Sequence, residues 1–335
     1  MSTLRGISRV SRLGGVVFLI LAACSHFAGA QVCLMGTDMD ESTRSVLQST
    51  AQRYFEMAVR GDAQSLRQNA ISSLASNFSG IESAVKDNQS NLAGAQATSR
   101  APFLLKAEGT APLPRAEFLC GVFGATGQTT NSAVFVIPNL PPGNYAIATL
   151  DVTTAKVPHT ASFVLKQEGN AWKLGGYYVK PSKIGGHDGQ WFAEQARQFK
   201  AKGQTRNAWL YQLQARDLLV PVPFMSTLAT DKLYDEFEKS KPPDLPPFDL
   251  PAGAKTFKVT HLFPYSLGND LDLVVRYSTA SIADSGQAFQ DNVAVMKALV
   301  AKYPEFRDGF NGVVARAVEP SGRDYGTLLQ MQNIK

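Results

Sequence analysis

The chain after residue 40 begins with apolar residues at helical spacing. Residues 43–60 place their apolar side chains on one face, which predicts an amphipathic helix. Gly61 and Asp62 follow, and they predict a stop and then a cap for a second helix over residues 63–70. Residues 80–92 repeat the helical pattern. The sequence therefore predicts three helices at the start of the first module.

Beyond residue 100 the period changes from helical to alternating, which predicts strands. The predicted strands are residues 103–107, 117–123, 133–137, 145–153, 160–167 and 171–179. Turn residues 141–144 and 168–170 separate the later strands. Helices followed by an antiparallel meander predict an α+β domain over residues 31–182, in which a curved sheet wraps around the helices.

Two stretches of this module carry a resemblance to a known family. YFEMAVRGDAQSLRQNA, residues 54–70, and ASFVLKQEGNAWKLGGYYVKP, residues 161–181, resemble the first and last elements of the nuclear transport factor 2-like, or cystatin-like, superfamily. The resemblance implies a concave pocket, in which isomerases and dehydratases of the superfamily use acidic groups. Residues 99–116 are long and proline-punctuated, so the order of the sheet stays open. IPNLPPGNYAI, residues 137–147, instead resembles a hairpin of extracellular β-sandwich modules, which is the alternative fold.

The rest of the chain divides into two further modules. Residues 187–240 are predicted as a helical hairpin region, and Phe192, Ala196, Phe199, Gly203, Ala208 and Ala215 fall at offsets that resemble one tetratricopeptide unit. A single unit is too few for a solenoid, so we expect the hairpin to pack against its neighbours. The five prolines of residues 241–253 predict a linker. Residues 254–335 read as a small two-layer α/β domain with a ββαββ pattern.

Residues 1–30 have the pattern of a signal peptide. Three arginines precede an apolar run over residues 13–23 that is too short to span a bilayer. Ala28-Gly29-Ala30 suits conventional cleavage, which would leave Gln31 as the first residue of a free protein. Leu-Ala-Ala-Cys at residues 21–24 resembles a lipobox, in which Cys24 would be acylated and anchored. Both products stay open.

The charge of the chain narrows the classes of molecule that it could bind. Without the three arginines of the leader, the formal net charge falls from +5 to +2, and no long basic run is present. This excludes a nucleic-acid binder by charge and leaves membrane contact only through the signal peptide or a lipid anchor.

In an oxidising compartment Cys33 and Cys120 are predicted to form a disulfide; the alternative is two separate buried thiols.

Candidate chemistry is sparse. No metal-binding, phosphate-binding or nucleophile-elbow motif occurs, so we predict neither a metal nor a cofactor. Asp151 lies in an alternating strand and would share a face with Tyr145, where a desolvated carboxylate could act as a general base. The alternative places Asp151 exposed at the strand end. Tyr54, Tyr145 and Tyr177 are the candidate lining of a pocket.

The histidines and the acidic run at residues 38–41 have structural explanations. Asp188 is expected to cap a helix beside a solvated His187, rather than to bind a metal with it. His159 is expected at the surface of a sheet edge, and His261 partly buried. Residues 38–41 lack the spacing of a calcium loop and are expected to cap the first helix.

These observations support one leading hypothesis and two alternatives. The first is an exported bacterial cell-envelope protein that binds a small molecule or a protein partner without catalysis. The second is an isomerase, dehydratase or hydrolase-like enzyme in the cone of the first module, with Asp151 as base and a tyrosine as hydrogen-bond donor. The third is an assembly scaffold, which predicts an exposed apolar patch on the helical hairpin and the last module.

Overall fold

The computed structural model describes residues 31–154, 157–267 and 270–335. The predicted signal peptide, both cleavage sites and Cys24 lie outside the described residues. The helices are α1 (Glu41–Val59), α2 (Ala63–Gln68), α3 (Ser72–Ala75), α4 (Ser79–Leu92), α5 (Gly189–Ala201), α6 (Thr205–Leu219), α7 (Leu228–Glu238), α8 (Ser285–Lys302) and α9 (Phe306–Gly309).

The strands form three sheets. They are β1 (Gln31–Met35), β2 (Gln96–Ser99), β3 (Phe103–Ala107), β4 (Leu113–Gly124), β5 (Gly127–Leu140), β6 (Gly143–Thr153), β7 (His159–Glu168), β8 (Ala171–Pro181), β9 (Met225–Thr227), β10 (Phe248–Ala252), β11 (Lys255–Leu267), β12 (Asp270–Ser278), β13 (Gly312–Val318) and β14 (Asp324–Gln330). The predicted α+β class is confirmed, because helices and mostly antiparallel sheets form separate layers.

The first sheet has the order β1-β3-β6-β7-β8, with β2 paired to β6. Its helix-facing side carries every second residue of β6, including Ala146, Ala148 and Leu150, and these pack with Tyr54 and Phe55 of α1 in one core. The side chain of Asp40 caps α1 by accepting from the backbone N–H of Thr43 at 2.8 Å. The expected capping role of residues 38–41 is confirmed at Asp40, and its hydrogen bonds, first that from Ser42, lower the pKa of this carboxyl to about 2.

A second sheet, β4-β5-β9, covers the opposite side of the first. Tyr145 and Ile147 of β6 point into this interface and pack with Phe118 and Phe135. The predicted sandwich alternative is wrong as a fold for the module, because helices cover the other side of the first sheet. Residues 137–147 are not a hairpin within one sheet; they carry the chain from β5 in the second sheet to β6 in the first.

The Cys33–Cys120 disulfide joins β1 to β4, with Cα atoms 5.1 Å apart. The predicted pairing is confirmed. β1 is the outer strand of the first sheet and β4 the outer strand of the second, so the bond ties the two sheets together at their edges. No helix among the described residues has the length and apolarity needed to cross a membrane.

The helical region and the last sheet share one hydrophobic core. α5 and α6 form an antiparallel hairpin, and Gly203 ends α5 with a positive φ of 75°. The third sheet, β10-β11-β12-β13-β14, includes a parallel β12–β13 pair and is covered by α8. Buried residues from both parts, such as Phe199, Trp209, Val275 and Leu299, belong to the same core.

The segment predicted as a linker, residues 241–253, contributes to this packing. Its second half is strand β10, which pairs with β11 and adds one strand to the predicted ββαββ pattern. Asp244 in its first half accepts from the guanidinium of Arg206 at 2.7 Å and from the Tyr303 hydroxyl at 2.7 Å. Arg206 also pairs with Glu305 at 3.1 Å. An ionic cluster therefore fixes the proline-rich segment to α6 and to the end of α8.

Candidate functional site

The three predicted pocket tyrosines lie on two different sides of the first sheet. Tyr54 and Tyr177 are buried in the helix-facing core, whereas Tyr145 is buried against the second sheet. The Tyr54 hydroxyl donates to the carbonyl of Trp172 at 2.9 Å, and the Tyr145 hydroxyl donates to that of Pro141 at 2.8 Å. Because the sheet separates them, the three do not line one pocket, and that prediction is wrong.

Asp151 lies on the predicted side of β6 but is not desolvated. Its side chain is 56% exposed and forms a two-pronged ion pair with Arg100, with Nε 3.0 Å from Oδ2. Thr98 of β2 is its partner in the sheet, near the end of the strand. The expectation of a buried carboxylate suited to general-base chemistry is therefore corrected: the exposed position at the strand end is the observed one.

A large concave site lies elsewhere, where the three predicted modules meet. We call it the junction groove; it has a volume of about 880 Å³. Four parts of the chain line it: one face of α4, the adjoining ends of β7 and β8, the last turns of α6, and residues 263–266 of β11. Lys180 of β8 pairs with Asp217 of α6 at 3.1 Å within the groove. Outside the groove, β9 connects the helical region to the first module by pairing with β5 of the second sheet.

His159 lines the groove with a polar side chain, and the residue is only 5% exposed. The predicted surface position is wrong because β7 is an inner strand, paired with β6 on one side and β8 on the other. Nδ1 lies 2.6 Å from the carbonyl oxygen of Val157. A carbonyl can only accept, so Nδ1 carries the proton and Nε2 keeps its lone pair in the neutral ring. Burial lowers the pKa of His159, and the Val157 carbonyl opposes this in part.

Gln214 of α6 is the second deeply buried polar group of the groove. It is 6% exposed, and its amide makes no hydrogen bond to any described residue. Asn91 and Asp87 of α4 also line the groove, and their side chains have no described partner either. Asn88 donates to the carbonyl of Ala84 at 2.9 Å, which leaves its oxygen available. The groove thus presents several hydrogen-bonding groups that the described protein does not satisfy.

Formal charges in the groove nearly cancel. Lys180 and Asp217 neutralise each other, and Asp87 is the one remaining charged side chain of the described lining. Phe263 and Tyr265 form an aromatic rim, and the Tyr265 side chain is among the exposed large apolar groups. The guanidinium of Arg276 lies 5.3 Å from the Phe263 ring centre. The site is therefore nearly neutral, with the polar His159 and Gln214 and the apolar Ile184 as its deeply buried lining and aromatic side chains at its exposed edge.

The predictions for Asp188, His187 and His261 concern residues outside the groove. Asp188 caps α5 by accepting from the backbone N–H of Trp191 at 3.0 Å, which confirms its predicted role. His187 is exposed as expected and stacks on the Trp191 ring at 3.8 Å between centres. His261 is exposed, so the expected partial burial is wrong. Among the described residues, no group of three or more histidine, cysteine, aspartate or glutamate side chains is placed to hold a metal ion.

Comparison of the chain with protein-family models, with curated proteins and with solved structures finds no match. The resemblances to the nuclear transport factor 2-like superfamily and to a tetratricopeptide unit therefore stay predictions.

Proposed function

We propose that this chain is an exported bacterial cell-envelope protein that binds a small molecule in the junction groove. Export is supported by the pattern of the leader and by the Cys33–Cys120 disulfide, because disulfides persist in oxidising compartments. Mass spectrometry of the mature protein distinguishes a chain that starts at Gln31 from one that is acylated at Cys24.

One observation carries the binding proposal. His159 and Gln214 are both more than nine-tenths buried, line the groove and leave hydrogen-bonding atoms without a described protein partner. Neither residue is among those with a fully enclosed, unpaired side-chain atom, so these atoms open onto the groove, where water or a ligand can form hydrogen bonds with them. A ligand with matching groups would supply the missing bonds.

Size and position support the same conclusion. Small-molecule sites typically have volumes of about 300–1,000 Å³ and often lie where domains meet. The junction groove, at about 880 Å³, has both properties. The enzyme alternative loses its support with the exposure of Asp151. The scaffold alternative predicts an exposed apolar patch on the helical hairpin and the last module; the exposed large apolar side chains described there are Tyr234, Tyr265 and Phe289, and none of the three lies on α5 or α6.

The proposal is tested by ligand-observed NMR with a fragment library. We expect fragments that bind the wild-type protein and no longer bind Leu218→Trp, because the indole would fill the groove beside α6. Gln198→Trp, on the exposed face of α5, is the matched control and is expected to bind the same fragments. Fragments that bind both variants and the wild type equally, or no binding fragments at all, would contradict a groove site.

A further inference from the structure

We infer that the ligand of the junction groove is an uncharged, hydroxyl-rich molecule of the saccharide class. This inference rests on the proposed function and specifies the chemistry of that same site.

The acceptors of the groove require a ligand that donates hydrogen bonds. His159 uses its Nδ1 proton on the Val157 carbonyl, so Nε2 can only accept in the neutral ring. The ionised carboxylate of Asp87 can also only accept. A carboxylate or phosphate ligand brings acceptors and negative charge to both groups, and is therefore disfavoured.

The amides of the groove favour groups that both donate and accept. Gln214 and Asn91 each offer a carbonyl oxygen and an NH₂ group. A hydroxyl group donates one hydrogen bond and accepts others, so neighbouring hydroxyls can meet an amide and an acceptor at once. A hydrocarbon ligand would leave all these groups unpaired, at a cost of about 1–3 kcal/mol for each buried one.

The charge of the groove favours a neutral ligand over a cationic one. Asp87 is exposed and is the one carboxylate of the described lining without a basic partner. Coulomb attraction at an exposed carboxylate is weak, because water screens it. Lys180 lies in the same groove, and Arg276 lies on the Phe263 ring where a cation could otherwise bind. A polyamine therefore finds little to recognise here.

The rim supplies the remaining element of a saccharide site. Tyr265 and Phe263 present aromatic surface beside Pro264, and 51% of Tyr265 is exposed. A sugar ring has an apolar C–H face as well as hydroxyls, and burying that face against an aromatic ring removes apolar surface from water. The buried polar groups and the apolar lining together match a molecule with both properties.

The test measures binding of neutral trisaccharides by isothermal titration calorimetry. The probes are maltotriose, cellotriose and tri-N-acetylchitotriose, with spermidine, citrate and trialanine as cationic, anionic and peptide comparisons. We expect at least one trisaccharide to bind and the three comparison probes not to bind. Binding of a comparison probe in place of the trisaccharides would overturn the saccharide assignment, and trialanine would then indicate a peptide site.

Variants locate the binding. Gln214→Leu keeps the side-chain size and removes the amide, so we expect at least a tenfold loss of trisaccharide affinity; Gln198→Leu on α5 is the control, with less than a twofold change expected. Tyr265→Ala, at an exposed position, tests the rim without disturbing the core and should also weaken binding tenfold. Unchanged affinity in both groove variants would overturn the assignment.

The two proposals fail in different ways. If fragments bind the wild type but not Leu218→Trp, and no trisaccharide binds, the ligand class is wrong and the binding function stands. If the fragments do not distinguish the wild type from Leu218→Trp, the binding function itself is wrong.

Discussion

Removing the Cys33–Cys120 disulfide is expected to destabilise the protein substantially. The bond closes a loop of 87 residues. In the chain-entropy model, crosslinking a loop of that length removes about 4.6 kcal/mol of conformational freedom from the unfolded chain at 25 °C. Measured values for native disulfides are about 2–5 kcal/mol, so we expect Cys33→Ala/Cys120→Ala to lower the free energy of unfolding by about 3–5 kcal/mol. Since whole domains are stable by about 5–15 kcal/mol, the loss would be large.

The structure also predicts where the effect begins. β1 has only five residues and, within the described sheet, pairs with β3 alone, so the disulfide is its covalent tie to the second sheet. Urea unfolding with linear extrapolation gives the free energy, and amide hydrogen exchange reports the loosening of β1. The reasoning is refuted if the double variant loses less than about 1 kcal/mol, or if β1 exchanges no faster than in the wild type.

Three further predictions concern ionisable groups. Arg206→Met leaves the carboxylates of Asp244 and Glu305 without their guanidinium partner. Because these groups are partly exposed, we expect the free energy of unfolding in urea to fall by about 2–3 kcal/mol. A fall of less than about 1 kcal/mol would contradict a stabilising role for this ionic cluster. Burial lowers the pKa of His159 in the folded state, so the unfolded chain binds a proton more readily than the folded chain does. The folded protein is therefore most stable above the ordinary histidine pKa of about 6.5, and it loses stability as the pH falls below that value. We therefore expect the wild type to lose more stability than His159→Gln between pH 7 and pH 5, and equal losses would argue against a buried neutral ring. Asp151→Asn removes an exposed ion pair and should change the free energy of unfolding by less than about 1 kcal/mol; a larger loss would mean that the carboxylate has a role beyond that pair.

Long periodic segments could be predicted from the sequence with good accuracy. The helix predicted for residues 80–92 is α4, Ser79–Leu92, and the strand predicted for residues 145–153 is β6, Gly143–Thr153. In α4 one side faces a core, so its apolar residues recur at the helical period, whereas β6 is covered on both sides over residues 145–150. Two short strands, β1 and β10, could not be predicted in this way, although the equally short β3 is predicted as residues 103–107. β1 and β10 have five residues each, and each exists because of a pairing partner rather than a repeating pattern of its own.

The sequence predicts which residues share one side of a strand, but not what covers that side. Alternation correctly placed Tyr145 and Asp151 on one side of β6, but it does not reveal what covers that side. A single meander that includes β4 and β5 would leave this side of the curved sheet as an open hollow. In the structure they form a second sheet that fills the space, so Tyr145 becomes a core residue. Asp151, two positions beyond Thr149, lies past the edge of that contact and is exposed.

The junction groove could not be read from the sequence, because no single stretch contains it. Asn91, His159, Gln214 and Tyr265 come from four elements, and each has an ordinary local explanation as a helix or strand residue. This distribution has a physical consequence. A ligand that contacts both the first sheet and β11 stabilises the folded protein by RT ln(1 + L/Kd), where L is the free ligand concentration, which is about 2.7 kcal/mol at a concentration one hundred times the Kd. Packing of the helical hairpin and the last sheet against the first module should therefore respond to occupancy of the groove.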